Sequence, residues 1–249
     1  MAEIAVVVGA TGAFGTAITR RLAAHGLRVV AVGRGGSTLS ALAAETPGVI
    51  PCTADIASDD AVARIAAALP EGVVRIAVHG PGLDAPGGID TIETAALTAA
   101  VNVKAGGMLR LARAVDARLA PNSRLVAIAG HYGLEPVPYA TAPGVANAAL
   151  INLCRQLGLA LGARGVTAHA IAPGPADTER LWRIAERRAG QDGRTAADVI
   201  DAMKAQSPIG ALTTPDQVAW AVSLLLAPEA AVMTGSTLML DAGRRHGLP

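Results

Sequence analysis

An apolar, β-branched run at residues 4–8 leads directly into Gly9-Ala10-Thr11-Gly12-Ala13-Phe14-Gly15, where a helical pattern begins. That junction constrains the chain more than any other feature. A strand that delivers glycines into the mouth of a helix lets backbone approach a pyrophosphate and aims unpaired N–H groups at it. The alternation then repeats along the chain. Strand-like runs fall at 28–32, 49–52, 75–78, 124–128, 167–171 and 237–240, and helical stretches at 14–25, 37–45, 61–69, 91–119, 145–162 and 215–226. Strands apolar on both faces, alternating with helices, specify a parallel sheet covered on both sides. The expected fold is α/β: one Rossmann-type doubly wound sheet of about seven strands, in a single domain over 1–249.

One segment breaks the alternation. Residues 179–214 are polar and Arg-rich and follow the carboxyl end of a strand, where a substrate loop or lid would cover the ligand crevice. Within it Arg180, Arg183, Arg187 and Arg188 recur at helical spacing, as a solvated face or as a clamp for an anionic substrate.

The net charge of +1 gives no electrostatic case for nucleic acid or an anionic membrane surface. No apolar run reads as both charge-free and long enough to span a bilayer, and nothing like a signal peptide precedes the first strand. A cytoplasmic protein with a small-molecule substrate is therefore expected. Cys52 and Cys154 sit in apolar runs without metal-ligand spacing, so both read as reduced core thiols, and no metal site is expected.

Gly9, Thr11, Gly12, Phe14 and Gly15 are the candidates for the diphosphate cradle. The second strand ends Ala31-Val32-Gly33-Arg34, with no acid to accept from a ribose 2′-hydroxyl. Arg34 can instead meet a 2′-phosphate, helped by Ser37 or Thr38, which favours NADP(H) over NAD(H). Asp55 and Ile56 could seat the adenine edge, or Asp55 could cap the helix from 61.

Together with Ile171-Ala172-Pro173-Gly174-Pro175-Ala176-Asp177-Thr178, Val101-Asn102-Val103 and the closing Leu240-Asp241-Ala242-Gly243, these motifs make a recognisable set. The chain resembles the short-chain dehydrogenase/reductase family along nearly its whole length. Its glycine spacing is closer to the family's extended branch, its length and C-terminus to the short branch. The resemblance implies a nicotinamide cofactor and often a homotetramer. It also implies that Asn102 is the helix-four active-site asparagine and that Pro173, Gly174 and Thr178 hold the nicotinamide carboxamide. Where the family has Asn-Asn-Ala-Gly after the fourth strand, this chain has His79-Gly80-Pro81-Gly82.

The family's proton-transfer residues are another matter. Counting back without a gap from Pro173 puts Asn147 at the lysine position, Pro143 at the tyrosine position and Gly130 at the serine position. A four-residue slip would instead pair Tyr139 with the tyrosine and leave Pro143 as the lysine. Neither register retains a lysine. A carbonyl reductase of this type needs a hydroxyl to protonate the carbonyl oxygen and a cation to depress its pKa. Pro143 suits the first turn of a helix and disfavours helical geometry at Ala142, which places Tyr139 on the preceding loop. His79, His131, Tyr132 and Tyr139 all map to loops at strand ends, where replacement chemistry could arise. Three readings follow: an NADP(H)-binding enzyme with a non-standard site and redox or non-redox chemistry, an ordinary carbonyl reductase with a relocated donor at Tyr139, or a non-catalytic sensor or partner subunit.

Overall fold

The computed structural model describes residues 3–247 apart from 84 and 86, and for 191 and 192 the backbone only. The ends of the expected domain, residues 1–2 and 248–249, lie outside the described residues. Seven strands form one parallel sheet: β1 (Glu3–Val8), β2 (Arg28–Gly33), β3 (Val49–Thr53), β4 (Val73–His79), β5 (Arg124–Ile128), β6 (Thr167–Pro173) and β7 (Thr237–Leu240). Their order is β3-β2-β1-β4-β5-β6-β7, so the strand sequence reverses direction beside β1. Such a reversal opens a crevice beyond the carboxyl ends of the strands.

The period-two pattern of the strands sends side chains to two cores. Ile4, Val6 and Val8 join Ala61 and Ile65 of α3 (Asp60–Ala68), Met108 and Leu111 of α5 (Gly107–Val115), and Leu150 and Cys154 of α6 (Thr141–Leu161). Ala5 and Val7 face the other way, toward Ile18 and Leu22 of α1 (Ala13–Ala24), Leu39 of α2 (Gly36–Glu45) and Val218 of α9 (Pro215–Leu224). Each large aliphatic buried this way stabilises the fold by about 1.5–3 kcal/mol. Both cysteines are free and buried in these interiors. By length and composition alone, α6 with its following turn could cross a bilayer. Here its Leu150 and Cys154 pack into the sheet core, as those of a core helix do.

Four features differ from the sequence expectation. The stretch 91–119 is not one helix: α4 (Thr94–Val101) passes through a π-turn at Asn102–Gly106 into α5. Tertiary contacts hold this turn, the Asn102 amide donating to Ala57 O at 2.9 Å and accepting from Arg110 at 2.9 Å. Second, α6 begins at Thr141 rather than 145, so Ala142 is helical despite preceding a proline. Ala142 is fully buried against Leu83, Ala100 and Ala146, and that packing overrides the local preference. Third, β4 runs on to His79, which removes that residue from the loop. Finally, the Arg-rich segment is helical: α7 (Glu179–Asp192) and α8 (Ala196–Ala205) pair through Leu181, Ala185, Ile200 and Met203.

Candidate active site

The strand ends and their following turns define a cradle from which side chains are excluded. Gly9 has φ +80°, and a Cβ there would lie 3.0 Å from the backbone of Gly80 and Pro81. A Cβ on Gly15 would overlap the carbonyl oxygen of Gly9. Gly12, in contrast, is the extended N-cap of α1 and has room around it. The first-turn amides of α1, those of Ala13 and Phe14 among them, have no acceptors within the helix and are presented to this turn. Phe14 packs its ring against the core and fixes the helix start, and Thr11 is exposed beside the end of β2. Gly80 donates to Val8 O at 2.9 Å, which holds the β4 loop against the glycine turn.

Arg34 is exposed on the turn between β2 and α2, beside exposed Ser37 and Thr38, and the Thr38 hydroxyl is committed to Gly35 O. Asp55 does not cap α3, which starts five residues later; its carboxylate accepts from Ala57 N at 3.0 Å and shapes the turn that presents buried Ile56. On the opposite flank Gly174 donates to Leu240 O, and a Cβ there would come within 2.9 Å of the Asp241 backbone. Buried Pro173 ends β6, and the Thr178 hydroxyl caps α7 by accepting from Leu181 N. A glycine turn with no room for a side chain at Gly9 or Gly15, a helix N-terminus behind it and an exposed arginine at the next strand end fit a dinucleotide carrying a 2′-phosphate.

The residues proposed for chemistry are sorted by burial. His79 is fully buried; its Nε2–H donates to Val103 O at 3.0 Å, and Nδ1 has no partner. Burial, and after it the charge of Lys104, push the His79 imidazolium pKa down to about 3. His79 is therefore a neutral structural residue and no proton donor. Asn102 sits at the π-turn with both ends of its side-chain amide engaged, by Ala57 O and by Arg110. His131 opens the 3-10 turn His131–Gly133, buried and stacked on Tyr132 at a centroid distance of 4.0 Å. Burial first, then Arg244, lowers its pKa to about 4, which makes it a wall of the site at neutral pH.

Tyr132 and Tyr139 come together. Their hydroxyl oxygens are 3.3 Å apart and their rings meet edge to face at 6.0 Å. Tyr139 lies on the loop before α6, as expected, although Ala142 ahead of Pro143 is helical, and it is 49% exposed. Tyr132 is more enclosed; burial, then its hydrogen bond to Tyr139, raise its phenol pKa. Gly130 and Asn147 face each other, and a Cβ on Gly130 would lie 2.8 Å from Asn147 Nδ2. Asn147 is buried and its Oδ1 has no partner. Pro143 occupies the first turn of α6, where a missing N–H breaks no bond.

Sequence reasoning missed Lys104. It sits in the π-turn, buried, with Nζ donating to Ile128 O at 2.9 Å, two residues before Gly130. Burial, then Arg180, depress its pKa to about 8. Its signal was a lone lysine in the apolar stretch from Val101, but no periodicity argument says that such a residue turns inward. Arg180 at the start of α7 donates to Leu83 O and so ties that helix to the loop after β4.

This fold and this cradle are those of a Rossmann-type dinucleotide-binding class. A family described as "Enoyl-(Acyl carrier protein) reductase" matches residues 9–245. A putative ketoacyl reductase of Streptomyces coelicolor is 30% identical over 97% of this chain and 96% of its own length. The short-chain reductase protein NovJ of Streptomyces niveus is 30% identical over 97% and 94%. Among solved structures, a variant of actinorhodin polyketide ketoreductase with NADPH superposes with a TM-score of 0.90, at 27% identity, over 98% of this chain and 97% of that one. L-sorbose reductase from Gluconobacter frateurii shares the fold, with a TM-score of 0.91 at 20% identity, over 99% of this chain and 98% of that one. The chain belongs to the short-chain dehydrogenase/reductase family.

Proposed function

We propose that this protein binds NADP(H) and acts on a small organic substrate through a non-standard active site in which the Tyr132–Tyr139 pair carries the proton. The pair itself is the observation that carries the reading. With His79 and His131 held neutral inside the fold, the two phenols are the hydroxyl donors left among the sequence candidates. The contact between Gly130 and Asn147 supports the register that leaves the family's serine and lysine positions without a hydroxyl or a charge. NADPH held on the glycine turn would supply hydride to an electrophilic carbon. Exposed Tyr139 then delivers its proton to the adjoining oxygen and is reprotonated from solvent, while Tyr132, kept protonated by burial, donates the hydrogen bond that holds the Tyr139 phenolate in between. Helices α7 and α8 cover the substrate end of the crevice.

The similarity to ketoacyl reductases supports a second reading, an ordinary carbonyl reductase that uses Tyr139 alone. Arg188, stacked on the Tyr139 ring at 4.9 Å, favours it by placing a cation beside the phenol. Kinetics separates the two. In the first reading, generic ketones, aldehydes and quinones are reduced about 10²–10⁴-fold more slowly than a complete donor site would allow. With the native substrate, Tyr139→Phe and Tyr132→Phe each lower kcat while NADPH affinity stays unchanged. Brisk reduction that depends on Tyr139 alone selects the ordinary reductase. Product formation without NADPH consumption identifies non-redox chemistry, and NADPH binding without any turnover identifies a sensor.

Cofactor preference is tested separately. Calorimetry on wild type is expected to show tighter binding of NADP⁺ than of NAD⁺, by about 10- to 100-fold, the weight of charge-assisted hydrogen bonds to one phosphate. Arg34→Glu should erase that difference. Equal affinities in wild type would remove the assignment. The same reading includes a homo-oligomer, most simply a tetramer, supported by the exposed Val145 and Leu159 on α6 and Trp220 and Leu224 on α9. Light scattering that returns a 24.9 kDa species would rule it out.

A further inference from the structure

We propose that the substrate carries a carboxylate, held between Arg188 and Arg244 beside the Tyr132–Tyr139 pair. This rests on the functional reading above and names the chemical class that its site accepts. Three chain segments that are distant in sequence supply the parts: the loop before α6, helix α7 and the segment after β7. Arg188 comes from α7 and lies over the Tyr139 ring. Arg244 follows β7 and is oriented by two neutral acceptors, Met203 O at 2.9 Å and the side-chain oxygen of Gln206. Both guanidinium charges are near enough to Tyr132 to act on its phenol.

Neither guanidinium makes an ion pair with a carboxylate among the described residues. The acids on this side of the molecule are already engaged by backbone. Glu135 accepts from Gly247 N at 2.8 Å. Asp241 accepts from Gly243 N at 3.1 Å and Arg245 N at 3.0 Å. The arginine series of α7 thus divides by direction. Arg180 is turned to the β4 loop, and Arg183 shares a surface depression with Glu179 and Glu186, a self-compensated solvent face. Arg188 is turned to the tyrosines.

Two cations beside two phenols present donors only, apart from the hydroxyl lone pairs. Asp241 and Glu135 offset part of this charge from a distance but meet neither guanidinium, whereas a substrate carboxylate offers about four acceptor sites and suits the planar guanidinium fork. A small oxo acid satisfies both halves of the site, its carboxylate meeting the arginines and its carbonyl oxygen the Tyr139 hydroxyl.

Acetoacetate and its neutral isostere acetoacetamide make the test, titrated by calorimetry into NADP⁺-saturated protein. Acetoacetate is expected to bind at least about 10-fold more tightly, with an affinity that falls as salt is added. Arg188→Gln and Arg244→Gln should each weaken acetoacetate by about 10- to 100-fold and leave acetoacetamide unchanged, and Arg188→Lys should recover part of the loss. Arg188 lies on a surface helix, so it keeps the test valid even if Arg244→Gln lowers the melting temperature. Equal affinity for the two probes, no saturable binding of either, or indifference to both substitutions overturns the proposal. Failure of NADP⁺ to bind in the first step is a different result and overturns the functional reading instead.

Discussion

Gly15→Ala is expected to abolish NADP(H) binding and to lower the melting temperature, whereas Gly12→Ala, three residues away, leaves the fold intact. Added to Gly15, a methyl group would overlap the Gly9 carbonyl oxygen and crowd the Ala10 backbone, and neither neighbour is a flexible side chain that could move aside. The turn must open, at a cost near the upper end of overpacking penalties, about 3 kcal/mol. For a chain of this length that is about 6–12 °C in melting temperature. Gly12 has an ordinary extended conformation, φ −77° and ψ 165°, and its Cβ would meet Gly9 O at an unstrained 3.5 Å. Any affinity lost in Gly12→Ala therefore reports how closely the ligand approaches, while Gly15→Ala reports the turn itself. Thermal unfolding and NADPH fluorescence on both variants make the comparison. A Gly15→Ala protein with wild-type melting and binding would mean that this turn is not packed as described.

Acidification is expected to unfold the protein steeply below about pH 6.5. His79, His131 and His169 are buried, with pKa values lowered to about 3, 4 and 4. Burial is the leading cause in each, reinforced by Lys104, Arg244 and Arg124 respectively. The unfolded chain takes up protons at these residues as pH falls through 6.5, and the folded chain does not until pH 4 or lower. Proton uptake thus favours the unfolded state across that window. The stability associated with the neutral imidazoles is complete above pH 6.5 and declines at up to about 4 kcal/mol per pH unit with all three contributing. Set against a total stability of about 5–15 kcal/mol, that slope exhausts the fold within a few pH units. Denaturant unfolding between pH 7 and 5 measures it. His79→Asn should reduce the slope by about one proton, near 1.4 kcal/mol per pH unit. A slope unchanged by that substitution would show that His79 titrates normally in the folded state.

Much of this protein was legible in its residues because the relevant physics is local. Alternating apolar runs set the seven parallel strands, and the glycines after β1 set the cradle, since the turn leaves no room for a side chain at Gly9 or Gly15. The exposed turn position of Arg34 and the loop position of Tyr139 also match the sequence expectation, although Ala142 before Pro143 is helical. Tertiary contacts decided the rest. His79 read as a loop residue and is buried because β4 extends one residue further and α5 covers it at Gly107. Asn102 read as an active-site amide and is engaged by Ala57 and Arg110, contacts that no spacing rule supplies. Lys104 turned inward, and Arg188 and Arg244 met the tyrosines across separations of 49 to 112 residues. Local pattern determines which segments become strands, helices and turns, because it acts over a few residues of known period. Which charges and hydroxyls face one another depends on where those segments cross, and that was settled only when the two cores closed on the sheet.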